Sequence, residues 1–192
     1  EDSFNKIRGM FAICFYDIKN KKVTITRDCI GIKPLFFSNL TINGSKLFIF
    51  SSTQKAIIDF MKFPLDDNQI FRYLKMGISC DKRNTFFKGI HRLIPGTILT
   101  INYEGEIVHK NLKNNLSSLD LNLNNKYQDQ EHRELIHKIF KEHLISDIPV
   151  ATTISGGIDS SFLSCFAAKE HETKSFTLDS DLFKSEADDF SS

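Results

Sequence analysis

In the stretch TTISGGIDSSF, residues 152–162, a β-branched run stops at Ser155, two glycines follow, and Asp159, Ser160 and Ser161 open a segment with helical periodicity. A glycine-rich turn between a strand and a helix is a place where backbone N–H groups can face an anion. Glycine tolerates positive φ and lets the backbone approach a phosphate, and the helix N-terminus adds unpaired donors and partial positive charge. Gly156 and Gly157 suit the first role, and Ser155, Ser160 and Ser161 can add hydroxyl donors. Asp159 would repel a bare phosphate, so its carboxylate favours a magnesium-bound pyrophosphate, with Asp159 as metal ligand directly or through water. The competing reading is structural: a Gly-Gly turn in which Asp159 and Ser160 merely cap the helix.

The elements around the loop fit the first reading. IPVATTI is a continuous apolar and β-branched run, the pattern of a strand buried on both faces of a parallel sheet. SSFLSCFAAKE has helical periodicity and KSFTL is a short second strand, which makes the order β-α-β. Upstream, DQEHRELIHKIFKEHLI places Leu135, Ile136, Ile139, Phe140 and Leu144 on one helix face. The chain to about His109 has a different, β-rich texture. GMFAICFYD and KVTITRD flank the turn IKNKK, KPLFFSN and KLFIFSS flank LTING, and TILTINYEGEIVHK reads as a hairpin around Glu104-Gly105. TQKAIIDFM and DNQIFRYLKMG are helical, the second with Asp66 or Asp67 as N-cap and Gly77 as its stop. The Asn/Ser-rich stretch 111–127 is expected to be a linker, which divides the chain into regions 1–110 and 128–192.

Composition narrows the partners. The 25 Lys+Arg against 24 Asp+Glu give a net charge of +1, which argues against nucleic acid and against a polybasic membrane anchor. Cys14, Cys29, Cys80 and Cys165 form no C-x-x-C pair, so neither a zinc site nor a disulfide framework is indicated and reduced thiols in a cytoplasmic setting are expected. No apolar run approaches the ~20 residues of a membrane span. The 18 Phe, without any Trp, are expected to fill core positions.

The loop lacks the spacing of G-x-x-x-x-G-K-S/T and of G-x-G-x-x-G. S-G-G-x-D-S resembles instead the PP-loop of ATP pyrophosphatases, which adenylate a substrate and release pyrophosphate. HLISDIPVATTISGGIDSS resembles the entry to the synthetase domain of glutamine-dependent asparagine synthetases. RGMFAICFYD and TRDCIGIKPLFF resemble the second half of the class II glutamine amidotransferase domain that precedes it, with Arg27, Asp28, Gly31, Lys33, Pro34 and Leu35 on the pattern R-D-x-x-G-x-K-P-L. TFFKGIHRLIPGTIL is similar to the segment that closes that domain. The matches cover nearly the whole chain in the right order.

The resemblance implies an α+β, antiparallel β-rich remnant of an Ntn-type glutaminase, followed by the start of an α/β PP-loop domain of the adenine nucleotide alpha hydrolase-like kind. It implies hydrolysis of glutamine at an N-terminal cysteine, internal passage of ammonia, and activation of aspartate by ATP as β-aspartyl-AMP, giving asparagine, AMP and pyrophosphate. The implied small molecules are ATP, Mg²⁺, glutamine and aspartate, and the full-length enzyme could form a homodimer. The cradle for ATP is Ser155, Gly156, Gly157, Asp159, Ser160 and Ser161, with Asp159 toward the metal, and Ile154 and Leu178 fall where the family's aliphatic residues line the adenosine site.

Departures from the pattern accompany the matches. Residue 1 is Glu, the family's glutamine-binding half and its catalytic Lys have no counterpart here, and no residue present is assigned a catalytic role, so a piece of a longer enzyme is expected. In SSTQKA, Thr53 stands where family members carry an acid, which leaves the acceptor open. The alternatives are another PP-loop amidotransferase, acting on a surface-sugar precursor or forming a β-lactam, and a non-catalytic remnant or binding module. Among local signals, Glu134-x-x-His137 is similar to half of a di-metal motif but has no second copy. His132, His137 and His143 read as surface residues, Arg27-Asp28 as an ion pair holding a hairpin, and Lys33-Pro34 as turn geometry.

Overall fold

Alternating residues in FFSNLTI and SKLFIFS, separated by Asn-Gly, are the ingredients of a tight hairpin, and the computed structural model forms one there. The structure describes residue 4 and residues 6–78, 83–112 and 129–178. The chain divides into two compact units, 1–121 and 122–192.

In the first unit, β1 (Ala12–Asp17) and β2 (Lys22–Arg27) pair antiparallel from Ala12↔Arg27 to Asp17↔Lys22. The strands β3 (Phe36–Ile42) and β4 (Ser45–Ser51) are joined by Asn43 and Gly44 at φ 51° and 78°, the left-handed pair that a two-residue hairpin turn requires. Two helices follow. Thr53, the residue that departs from the family's acid, caps α1 (Gln54–Phe60) by accepting the Ala56 N–H. Asp66 caps α2 (Asp67–Met76) through the Asn68 and Gln69 N–H groups, and Gly77 ends it at φ 68°. Then come β5 (His91–Arg92), β6 (Thr97–Ile101) and β7 (Ile107–Leu112). The expected linker at 111–127 therefore begins inside β7, and its remainder lies outside the described residues.

One antiparallel sheet has the order β1-β2-β6-β7 and the other β4-β3-β5. Between them Ile25, Leu99 and Ile101 pack on Leu35, Phe37 and Leu93. Phe36, next to Phe37 on β3, faces the opposite way and packs with Ile57 of α1 and Ile90, as the two-residue period demands. The phenylalanines divide: Phe36 and Phe37 are core, whereas Phe15, Phe60, Phe71, Phe162 and Phe176 are more than half exposed, so the expected core role holds for only part of them.

Arg27 and Asp28 are both buried, but no ion pair joins them. Adjacent side chains at a strand end diverge, and each secures a different part of the chain. The Asp28 carboxylate accepts N–H bonds from Gly31 (2.6 Å), Ile32 (2.8 Å) and Lys33 (3.0 Å). Arg27 donates to the carbonyls of Leu93 (2.8 Å) and Gly31. Gly31 sits at φ 75°, and a Cβ there would meet Pro95 Cγ at 2.6 Å, so glycine is required by conformation and by space. Burial pushes the Asp28 carboxyl up, but backbone donors from Lys33, Ile32, Gly31 and Phe11 outweigh it and hold its pKa below the ordinary value. The turn reading of Lys33 is thereby given a cause.

The second unit contains α3 (Asp129–His143), β8 (Ala151–Thr153), α4 (Ile158–Glu170) and β9 (Lys174–Phe176). The strands β8 and β9 pair in parallel, Ala151↔Lys174 to Thr153↔Phe176, with α4 as the crossover. Phe140 packs its ring on Phe162 (5.6 Å) and Phe166 (5.0 Å) of α4. His137, expected at the surface, lies edge-on to Phe166 at 4.9 Å and reaches Glu170 at 3.2 Å, with Lys141 on the same carboxylate at 3.3 Å. Leu135 and Ile136, expected on the packing face, are exposed.

The expectation of a strand buried on both faces is corrected. Regular pairing covers only Ala151–Thr153, and Ala151 and Thr153 are exposed. A two-stranded sheet has two edges, and toward the helices a cavity of about 250 Å³, walled by Phe140, Leu144 and Leu163, remains beside Thr152 and Thr153.

Candidate functional site

The loop between β8 and α4 is built by three local devices. Ile154 donates its N–H to Phe176 O at 2.8 Å, which ties the end of β8 to β9. Gly156 then turns the chain at φ 80°, with nothing within 4 Å of where a Cβ would stand. Gly157 is the N-cap at φ −78°, ψ 160°, and the cap carries no side-chain hydrogen bond. The first helical bond runs from Ser161 N–H to Gly157 O at 3.1 Å.

These facts bear on the capping reading of Asp159 and Ser160. Neither caps the helix, because the capping position belongs to Gly157 and has no side-chain acceptor. The first-turn amides, which no α-helix can satisfy internally, are left without a side-chain cap. Asp159 is an exposed first-turn acid, favourably placed against the helix dipole, and among the described residues its carboxylate accepts no hydrogen bond. Of the two glycines, only Gly156 uses positive φ; Gly157 lies in the extended region, so its lack of a side chain matters for space rather than conformation.

The hydroxyls are not all turned outward. Ser160 Oγ donates to Gly157 O (3.1 Å), accepts the Ser155 N–H (3.2 Å) and lies 3.1 Å from Ser155 Oγ. Ser161 Oγ donates to Gly157 O at 2.9 Å. Ser155 and Ser160 thus brace the turn across five residues, a role sequence reasoning missed; serines on both sides of a left-handed glycine were the available signal. Ile154 is half-buried and Leu178 is almost fully exposed. They follow β8 and β9 respectively, so both leave the carboxyl-terminal edge of the parallel pair, the edge where open α/β sheets receive ligands.

A left-handed glycine with open space above it, amides without a side-chain cap and a carboxylate that accepts no hydrogen bond among the described residues suit a polyphosphate with its metal. Elsewhere, no group of three or more His, Cys, Asp or Glu among the described residues could hold a metal. Glu134 takes a hydrogen bond from Gln130 (3.3 Å) and His137 engages Glu170, which removes the di-metal reading of that pair. Cys14, Cys29 and Cys165 are free thiols, and Cys80 lies outside the described residues. No helix among the described residues is long and apolar enough to cross a membrane.

Comparison with known proteins adds an independent line. Residues 1–113 match the glutamine amidotransferase domain family, and residues 131–191 match asparagine synthase. Asparagine synthetase [glutamine-hydrolyzing] 3 of Bacillus subtilis is 30% identical over 181 residues, covering 90% of this chain and 27% of the relative. Synthetase 1 of the same organism is 28% identical over 180 residues, covering 93% and 28%. Amidase chyE of Penicillium rubens is 30% identical over 166 residues, covering 84% and 24%. The chain spans about a quarter of the length of the curated relatives it matches.

Proposed function

The chain belongs to the glutamine-hydrolysing asparagine synthetase family, and on that premise we propose that residues 154–161 are the phosphate loop of an ATP-dependent ligase. In the whole protein, that ligase adenylates aspartate and amidates it with ammonia from glutamine, giving asparagine, AMP and pyrophosphate. The observation that carries the reading is the turn itself: Gly156 at φ 80°, an N-cap without a side chain, and at the first turn Asp159, whose carboxylate accepts no hydrogen bond among the described residues.

A carboxylate oxygen leaves poorly and AMP leaves well, so adenylation requires that charge on the departing pyrophosphate be stabilised. The uncapped amides of the first turn of α4 supply donors that need no reorganisation. The Ser155–Ser160 brace keeps the turn from collapsing onto them. Asp159 is the carboxylate that would hold magnesium, which when bound neutralises phosphate charge. Ile154 and Leu178 offer apolar surface to the adenosine.

The amidase among the relatives favours a second reading, in which the same loop serves an acceptor other than aspartate. A full-length protein given ATP, a candidate acceptor and either glutamine or ammonia separates the two. Asparagine and AMP should appear together with aspartate as acceptor. Formation of ADP in place of AMP would overturn the phosphate-loop reading for either acceptor.

A further inference from the structure

The turn between β3 and β4 sets side by side two residues that can react with each other. Asn43 and Gly44 are both exposed, and the ladder closes beneath them at Ile42↔Ser45, so neither lies within the paired strands. Asn43-Gly44 is the one place in the sequence where glycine follows asparagine. A Cβ built on Gly44 would find nothing within 4 Å, so the approach to its nitrogen is open. Two asparagines of other turns are held and are followed by larger residues. Asn20 Nδ2 donates to Asp17 at 2.8 Å, ahead of Lys21. Asn102 donates to Glu106 at 3.2 Å and accepts the Glu106 N–H at 2.7 Å, ahead of Tyr103.

We propose that Asn43 is a site of spontaneous covalent modification, where the chain closes a succinimide and loses ammonia. The Gly44 nitrogen attacks Asn43 Cγ. The new N–Cγ bond replaces the Cγ–Nδ2 bond, and the Gly44 amide proton leaves on the departing nitrogen as ammonia. Water then opens the ring: cleavage at Cγ leaves aspartate, and cleavage at the main-chain carbonyl leaves isoaspartate, whose backbone is longer by one methylene. Attack requires that Asn43, at φ 51°, rotate its ψ out of the left-handed well. The tip of an exposed hairpin is where such opening costs least, and a following residue without Cβ obstructs the approach least. Aspartate is at home in a left-handed turn, but isoaspartate lengthens a two-residue loop whose length sets the strand register. Because β3 carries Phe36 and Phe37 into the two cores, a slipped register reaches the interior.

The test is incubation of the full chain for days at mildly alkaline pH, followed by peptide mapping by mass spectrometry. The peptide that holds Asn43 should gain about 1 Da and resolve into two species of that mass, aspartate and isoaspartate. It should do so at least about tenfold faster than the peptides that hold Asn20 or Asn102. Gly44→Ala should slow the gain by about tenfold, read both in buffer and in urea so that a change in folding cannot imitate the effect. The isoaspartate fraction of the aged protein should melt below the aspartate fraction. No mass gain at Asn43 in the folded chain, a rate no higher than at Asn20 or Asn102, an undiminished rate in Gly44→Ala, or equal melting of the two fractions would overturn the proposal.

Discussion

At the scale of single residues, the two glycines of the loop are not equivalent. Gly156 needs its left-handed backbone, so Gly156→Ala should destabilise the loop by about 1 kcal/mol, measurable as a lower thermal midpoint of the protein. Gly157 has an ordinary φ, and an added Cβ would meet only Ser155 Oγ at 3.7 Å. Gly157→Val should therefore fold normally yet lose pyrophosphate release, because the side chain occupies the space over the amides. Ser160→Ala removes the brace to Ser155 and to Gly157 O and should raise the KM for ATP by roughly tenfold, with rescue by Ser160→Thr. Unchanged ATP saturation in Ser160→Ala would mean that the brace does not shape the loop. The sequence announced this site because glycine, serine and aspartate carry local conformational signals. It could not announce which hydroxyls turn inward, since that depends on the angle at which α4 leaves the turn.

At the scale of elements, the loop held by Asp28 carries the clearest pH signature. Its folded pKa is depressed, so its contribution is complete above the unfolded carboxylate value of about 3.9 and is lost as pH falls through the lower folded value. Asp28→Asn should cost roughly 2–4 kcal/mol near neutral pH and flatten the fall of stability on acidification, followed by urea unfolding from pH 7 to pH 2. An unchanged acid limb would assign the acid sensitivity to other carboxylates. The hairpins and caps of this unit were legible because Asn43-Gly44, Asp66 and Gly77 act within a few residues of themselves. The role of Arg27 was not, because Leu93 lies 66 residues away and only the packed sheets bring its carbonyl to the guanidinium. The run IPVATTI misled for a related reason: apolar content reports what a strand could bury, and burial requires neighbours that a two-stranded sheet lacks.

At the scale of the whole molecule, Phe15, Ile18, Leu74, Ile145, Ile148 and Ile158 are each more than half exposed, and apolar side chains left in water favour association. The 192-residue chain should self-associate with rising concentration in sedimentation experiments; a monomer across the micromolar range would contradict that. Residues 1–113 match the glutamine amidotransferase domain family and residues 131–191 match asparagine synthase, so the proposed function predicts two chemistries that can be assayed separately in the full-length protein. The central claim, that the turn at 154–161 is a phosphate loop, is tested most directly by measuring pyrophosphate and free ammonia in parallel for Asp159→Asn. This substitution keeps size and removes one charge. Pyrophosphate release should fall by ~10²-fold or more, as loss of a transition-state electrostatic contact implies, while glutamine hydrolysis is much less affected. Pyrophosphate at the wild-type rate from Asp159→Asn would contradict the assignment and leave SGGIDSS as a turn that only starts a helix.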